Sequence, residues 1–228
     1  MASKCIHCKE KAVPVWDIRS DKFKPLVAVC LDCFKTKEHH EYPYNYLEVF
    51  ETNGWSFRMT HPTTPEIFLE TIVTRLSPHM IGAWENYEPT KSILLHGVTG
   101  TGKTRTAWMM FNKAWLHYYP RHSEFISMRR LEQKIENGFA NNNHGDVLDA
   151  LINCAVLGID DLGKERLTPR METDLFAIID ERTANKRPTI ITTNYNGTKL
   201  EERFNNNETG VAIIRRLKDY FEIHGAIK

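Results

Sequence analysis

Between a short apolar run, Ser92-Ile93-Leu94-Leu95-His96, and a helical pattern that starts at Thr104 stands the octapeptide Gly97-Val98-Thr99-Gly100-Thr101-Gly102-Lys103-Thr104. It matches G-x-x-x-x-G-K-[ST] at every fixed position, and strand before with helix after is the context that gives the motif meaning. Its glycines let the backbone fold into an amide-lined nest for a β-phosphate, and the following helix N-terminus adds positive potential. Lys103 has the length to reach β- and γ-phosphates, and the Thr104 hydroxyl is a ligand for Mg²⁺. Gly97, Val98, Thr99, Gly100, Thr101, Gly102, Lys103 and Thr104 are therefore the candidate nucleotide-binding residues.

From Ser92 onward apolar runs alternate with amphipathic helical patterns. Strands are predicted at Ser92–His96, Glu124–Ser127, Ala155–Ile159, Thr189–Thr193 and Tyr220–His224. Helices are predicted from Thr104 to about Tyr118, at Arg129–Asn137 and Asp146–Ile152, from Thr168-Pro169, near Lys199–Phe204 and at Val211–Lys218. Continuous apolar strands separated by helices imply an α/β fold, a parallel five-stranded sheet covered on both faces. Within that frame the third strand runs into Asp160-Asp161. Asp160 is placed to hold the metal through water and Asp161 to orient or deprotonate an attacking water, although acids at a strand end also serve as plain turn residues. The fourth strand ends at Asn194, which would project between the first and third strands towards a γ-phosphate and hold the lytic water. Thr193 is a weaker candidate for that task, and Asn194 as a simple loop opener is the alternative.

Four of the five cysteines form two C-x-x-C pairs, Cys5/Cys8 and Cys30/Cys33. Four thiolates at this spacing close a tetrahedral Zn²⁺ shell, and two short apolar runs (Val13–Trp16 and Leu26–Val29) read as a hairpin carrying both pairs at its open end. A zinc ribbon over 1–40 follows, with disulfides as the alternative; His7, His39 and His40 are then not needed as ligands. So short a segment buries little core, which leaves the metal to supply its folding energy. Residues 41–62, rich in Tyr, Pro and Asn without clear periodicity, read as a linker. A helix is predicted from Thr64-Pro65-Glu66 with Ile67, Phe68, Ile72 and Leu76 on one face. Trp108 and Trp115, on the helix after the phosphate loop, are assigned to the core.

Composition removes several classes. Hydrophobic residues make up 41% and charged residues 26% of the 228, the balance of a globular chain. Thirty basic against 29 acidic side chains leave a formal charge of +1, so any nucleic-acid binding must come from a local patch. No apolar run approaches the ~20 residues of a membrane helix, and the start Met1-Ala2-Ser3-Lys4-Cys5 lacks a signal-peptide core, so a cytoplasmic protein with no membrane contact is expected.

Taken in order, Gly97–Thr104, the run Leu157-Gly158-Ile159-Asp160-Asp161-Leu162-Gly163-Lys164-Glu165, Ile190–Asn194 and Ile213-Ile214-Arg215-Arg216-Leu217 resemble AAA+ ATPases of the bacterial helicase-loader and IstB-type (DnaC/IstB-like) clade. The resemblance covers roughly residues 62–228, giving an AAA+ ATPase domain at 63–228, and the Asp-Asp-Leu-Gly-Lys-Glu run is its most clade-specific part. It implies ATP with Mg²⁺ as cofactors, homo-oligomeric assembly in a spiral or ring, and an arginine from the neighbouring subunit completing each ATP site. The matching residue is Arg215 or Arg216, with Arg216 fitting the family pattern better, Arg203 as an outside candidate and a solvated basic helix face as the alternative. Single-stranded DNA is an implied partner, contacted where Arg129, Arg130 and Lys134 stand, on a helix that could equally be a plain solvated face. Only Gly225 to Lys228 follow the last predicted strand, which leaves no room for a C-terminal helical lid and favours weak hydrolysis by the isolated chain.

The implied function is loading of a replicative helicase onto DNA, with ATP as the assembly switch. An IstB-like transposition regulator that binds DNA and recruits a transposase uses the same core and stays open as the second reading. A small-molecule kinase would need an acceptor pocket and an arginine-bearing lid; a binding module in which ATP only fixes shape would make little use of Asp160-Asp161.

Overall fold

The computed structural model describes the backbone at 13–17, 24–29, 45–51 and 54–61, residues 63–65, and the chain from 78 to 226 apart from 119–120, 165–166 and 205–206. It divides into two compact units, Met1–Ile72 and Val73–Lys228.

In the first unit, β1 (Val13–Asp17) and β2 (Lys24–Val29) pair antiparallel with Val13 opposite Val29 and a register shift between Val15 and Trp16. The hairpin expected between the cysteine pairs is thus present, while Cys5, Cys8, Cys30, Cys33 and the three histidines near them lie outside the described residues. The stretch expected as a linker instead carries a second hairpin, β3 (Asn45–Glu51) against β4 (Gly54–Thr60). Apolar side chains occupy both parities of these strands (Tyr46 and Phe50, Leu47 and Val49), which hides the alternation, but Asn53-Gly54 between β-formers is a strong hairpin signal. Beyond Pro65, the helix expected at 64–76 lies outside the described residues.

The second unit is a five-stranded parallel sheet in the order β6 (Glu124–Ser127), β7 (Leu157–Leu162), β8 (Thr189–Thr193), β5 (Ser92–Gly97), β9 (Phe221–Ala226). All neighbours pair parallel, with Ile93 beside both Ile190 and Glu222, and Ile126 beside Ile159. The helices are α1 (Pro78–Glu85), α2 (Lys103–Tyr118), α3 (Met128–Ala140), α4 (His144–Asn153), α5 (Pro169–Ala184), α6 (Gly197–Glu201) and α7 (Asn207–Tyr220). Of these only α1 was not anticipated; its eight residues are too few for a readable stripe.

Side-chain alternation along the strands divides the core between the two faces. Leu94, Ile126, Leu157, Ile159 and Ile191 pack with Leu175, Ile178 and Ile179 of α5 and Ile213, Ile214 and Leu217 of α7. On the other face Phe125 stacks on Trp108 of α2 at a centroid distance of 4.0 Å and meets Phe111 edge-on at 5.3 Å. Gly158 makes that stack possible: a Cβ there would stand 2.1 Å from Phe125 Cδ2. Trp108 and Trp115 are buried, as their helical spacing implied. α5 begins where Thr168 caps it, its Oγ1 accepting Met171 N–H at 3.2 Å with Pro169 in the first turn.

Candidate nucleotide site

The loop between β5 and α2 delivers the phosphate-binding motif to the C-terminal edge of the sheet, with the α2 N-terminus behind it. Gly100 (φ 82) and Gly102 (φ 87) are left-handed, a conformation that a Cβ disfavours. Lys103 is buried, and its Nζ donates to Val98 O at 2.8 Å, the same carbonyl that accepts the Thr101 hydroxyl at 2.8 Å. The ammonium is therefore held over the loop, where a phosphate oxygen would compete for it. Burial pushes the Lys103 pKa down, and the carboxylates of Asp161 and Asp160 act against that shift.

Those two acids end β7, which crosses beside the loop. Asp160 Oδ1 accepts two hydroxyls, Thr104 Oγ1 at 3.0 Å and Thr192 Oγ1 at 2.6 Å. Burial raises the Asp160 pKa; the bonds from Thr192 and Thr104 pull it back, the Asp161 charge raises it further and Lys164 lowers it. Asp161 has φ 62, and β7 loses register with β8 between Ile159 and Leu162, so the acids lie on a bulge. The Asp161 carboxylate takes Lys164 Nζ at 2.9 Å on the exposed side. Thr193 Oγ1 donates to Leu162 O at 2.7 Å, and Arg203 donates from Nε to Gly163 O (2.8 Å) and from Nη2 to Lys164 O (3.0 Å), pinning the loop beyond the acids.

The donor set suits Mg²⁺. A hydroxyl and a carboxylate oxygen are hard ligands, and Mg²⁺ takes only one or two protein ligands beside phosphate oxygens and water. Among the described residues no three His, Cys, Asp or Glu side chains gather into a metal shell, so a cage of protein ligands is not what this site offers. Asn194 follows the last residue of β8, and β8 lies between β5 and β7.

The remaining predicted residues are spread out. Arg215 is exposed on α7, whereas Arg216 is half-buried and ion-paired through Nε with Asp180 of α5. Arg203 is committed to its own chain. Arg129 and Arg130 face solvent on α3, but Lys134 is tied to Glu124 of β6 by contacts of 2.7 Å to both carboxylate oxygens. Sequence reasoning missed Thr192, whose β-branched side chain reads as an ordinary strand residue, and Lys164 and Arg203, which it took only as parts of a motif or as an outside candidate.

Residues 81–225 match the family model described as IstB-like ATP binding protein. The chain belongs to that family. Over 107 residues it is 28% identical to Rv3427c of Mycobacterium tuberculosis (strain ATCC 25618 / H37Rv), described as ATP-binding and carried in an insertion sequence; the match spans 46% of this chain and 41% of that one. Among solved structures, a DnaC helicase loader is similar at 24% identity with a TM-score of 0.55, over 65% of this chain and 86% of that one. DnaI gives 19% identity and a TM-score of 0.58, over 72% and 95% of the two chains. The replication initiator DnaA bound to AMPPCP and single-stranded DNA gives 16% and 0.54, over 66% and 44%. At these identities the likeness is one of fold, the P-loop AAA+ parallel sheet. The nucleotide that the family description gives is ATP. Among the described residues no helix is long and apolar enough to cross a membrane.

Proposed function

We propose that this IstB-like chain is an ATP-hydrolysing assembly switch that loads a replicative hexameric helicase onto DNA. The observation that carries the ATPase reading is the convergence of Lys103, Thr104, Asp160 and Asp161 at one edge of the sheet, with the Thr104 hydroxyl already on Asp160. Lys103 leaves Val98 O for the phosphate oxygens, and the amides of 97–104 neutralise the rest of the charge. Thr104 and Asp160 would hold Mg²⁺, which would supply neutralisation of the phosphate charge. Asp161 turns from Lys164 to accept the proton of an attacking water, and Asn194 orients that water. Each site is completed by Arg215 or Arg216 of a second copy. Arg215 is free of the intrachain pairing that engages Arg216 in the single chain, so Arg216 must leave Asp180 to act in trans. Arg129 and Arg130 supply phosphate contacts to single-stranded DNA, without sequence preference. The four cysteines hold one Zn²⁺ in a ribbon that grips helicase or DNA, which metal analysis of the purified chain and its Cys5→Ser/Cys8→Ser form would test.

A second reading is favoured by the insertion-sequence relative: the same switch coats DNA and recruits a transposase. Both readings are separated by capture from the native host's lysate with Asp161→Asn protein and ATP, followed by mass spectrometry. Recovery of the replicative helicase, lost with Lys103→Ala, supports loading; a transposase with no helicase above background overturns it in favour of transposition.

A further inference from the structure

Thr192 sits in the middle strand of the sheet with no exposed surface, amid Ile190, Ile191 and Thr193. Apolar neighbours make a hydroxyl costly there unless both its donor and acceptor capacities are used. Here they are used on the two acids: the hydroxyl donates to Asp160 Oδ1 at 2.6 Å and accepts Asp161 N–H at 2.9 Å.

In a regular strand, consecutive side chains point to opposite faces, so two adjacent acids could not both serve one phosphate site. Left-handed Asp161 breaks that alternation, at a backbone angle disfavoured for any residue with a Cβ. Something must hold the break. Thr193 Oγ1 on Leu162 O and Arg203 on Gly163 O fasten the chain after the acids. At the acids themselves the described contact from β8 is the Thr192 hydroxyl. Asp160 meets the loop through Thr104 Oγ1 at 3.0 Å, while the Asp161 carboxylate, one residue on, takes Lys164 Nζ at 2.9 Å.

We propose that Thr192 is the positioning residue of the acid pair. Its one hydroxyl holds the Asp160 carboxylate on Thr104 of the phosphate loop and fixes the Asp161 backbone at the break, from which the Asp161 carboxylate can turn from Lys164 to the loop. Thr104 shares the Asp160 oxygen but must turn to the metal when MgATP binds; Thr192 then remains as the fixed partner. Its effect on hydrolysis rests on the ATPase reading above, whereas its effect on metal-dependent binding does not.

The full-length chain is compared with Thr192→Val, which keeps the shape and drops the hydroxyl, and Thr192→Ser, which keeps the hydroxyl. Binding of N-methylanthraniloyl-ATP is titrated against Mg²⁺, and kcat and KM for ATP are measured separately. With Thr192→Val, affinity without Mg²⁺ stays within about twofold, the Mg²⁺ needed for half-saturation rises about tenfold, and kcat falls roughly 10- to 100-fold with little change in KM, the scale of a misplaced reacting group. Thr192→Ser returns both readouts to near wild type. If Thr192→Val does not fold, Thr192→Cys, of similar size with a weak donor, takes its place with the same expected direction. Wild-type Mg²⁺ dependence in the hydroxyl-free variant, or a Thr192→Ser variant as impaired as Thr192→Val, overturns the proposal. A wild-type chain that binds MgATP but does not turn it over refutes the hydrolysis reading and leaves the Mg²⁺ titration to decide on Thr192.

Discussion

Replacing Arg182 by Met tests how the site's scaffold is held from below. Arg182 lies on α5 with no exposed surface, and its guanidinium donates to Leu151 O, Ile152 O and Cys154 O at the end of α4, to Pro188 O and to Thr189 Oγ1, all within 2.7–3.1 Å. It thus ties the C-terminus of α4 to the chain entering β7 and β8. Burial lowers its pKa, with no carboxylate among these partners, and the negative end of α4 takes that role. In the Met variant Ile152 O keeps Arg187, Pro188 O keeps Leu157 N–H and Leu151 O keeps only the weak Cys154 thiol donor, so the loss falls chiefly on Cys154 O and in part on Leu151 O. At about 1–3 kcal/mol per buried acceptor losing its donor, partly offset because no charge is then buried, the net destabilisation is about 3 kcal/mol. With a urea slope of about 2 kcal/mol per M, the midpoint followed by circular dichroism falls by roughly 1.5 M with the slope unchanged. A midpoint within about 0.3 M of wild type would refute the argument that these carbonyls depend on Arg182.

Gly158→Ala forces a Cβ into the Phe125 ring, which Trp108 and Phe111 prevent from moving away, and should cost about 1–3 kcal/mol in the same urea experiment. Arg203→Ala removes the bonds to Gly163 O and Lys164 O within one chain and should lower the ATPase rate; mixing it with Lys103→Ala subunits should restore no activity, whereas restored activity would mark Arg203 as acting in trans. Acidification should destabilise the fold through His224, whose pKa is pushed below the usual value of about 6.5 by burial, with Glu222 opposing the shift and the neighbouring His79 adding to it. The unfolded chain then binds more protons in that window, so stability is greatest above about pH 6.5 and falls as pH drops towards the folded-state pKa; His224→Gln should flatten this part of a stability-versus-pH profile.

The phosphate loop, the acids and all five strands of the parallel sheet were legible because each rests on local chemistry: glycine conformations, a lysine at fixed spacing, apolar runs ended by carboxylates. The last strand of the motif set, Thr189–Thr193, matched its predicted bounds. What escaped was long-range. Thr192 binds residues more than thirty positions away, and a threonine among isoleucines looks like any other β-former. Arg182 reads as a polar position on an amphipathic helix until α4 is folded beneath it. The hairpin at 45–60 was hidden because apolar residues occupy both odd and even positions of its strands. Sequence alone also left Arg215 and Arg216 open, whereas the fold engages Arg216 with Asp180 and leaves Arg215 at the surface.

On the function proposed above, ATP at the loop of 97–104 switches the chain between separate and assembled states. The direct measurement is the solution mass by light scattering, with and without ATP and Mg²⁺, for wild type and Lys103→Ala, alongside the hydrolysis rate per subunit at rising protein concentration. The expected result is a nucleotide-dependent rise in mass that Lys103→Ala abolishes, and a rate per subunit that climbs with concentration as neighbouring arginines complete the sites. An unchanged mass together with a rate independent of concentration would contradict it.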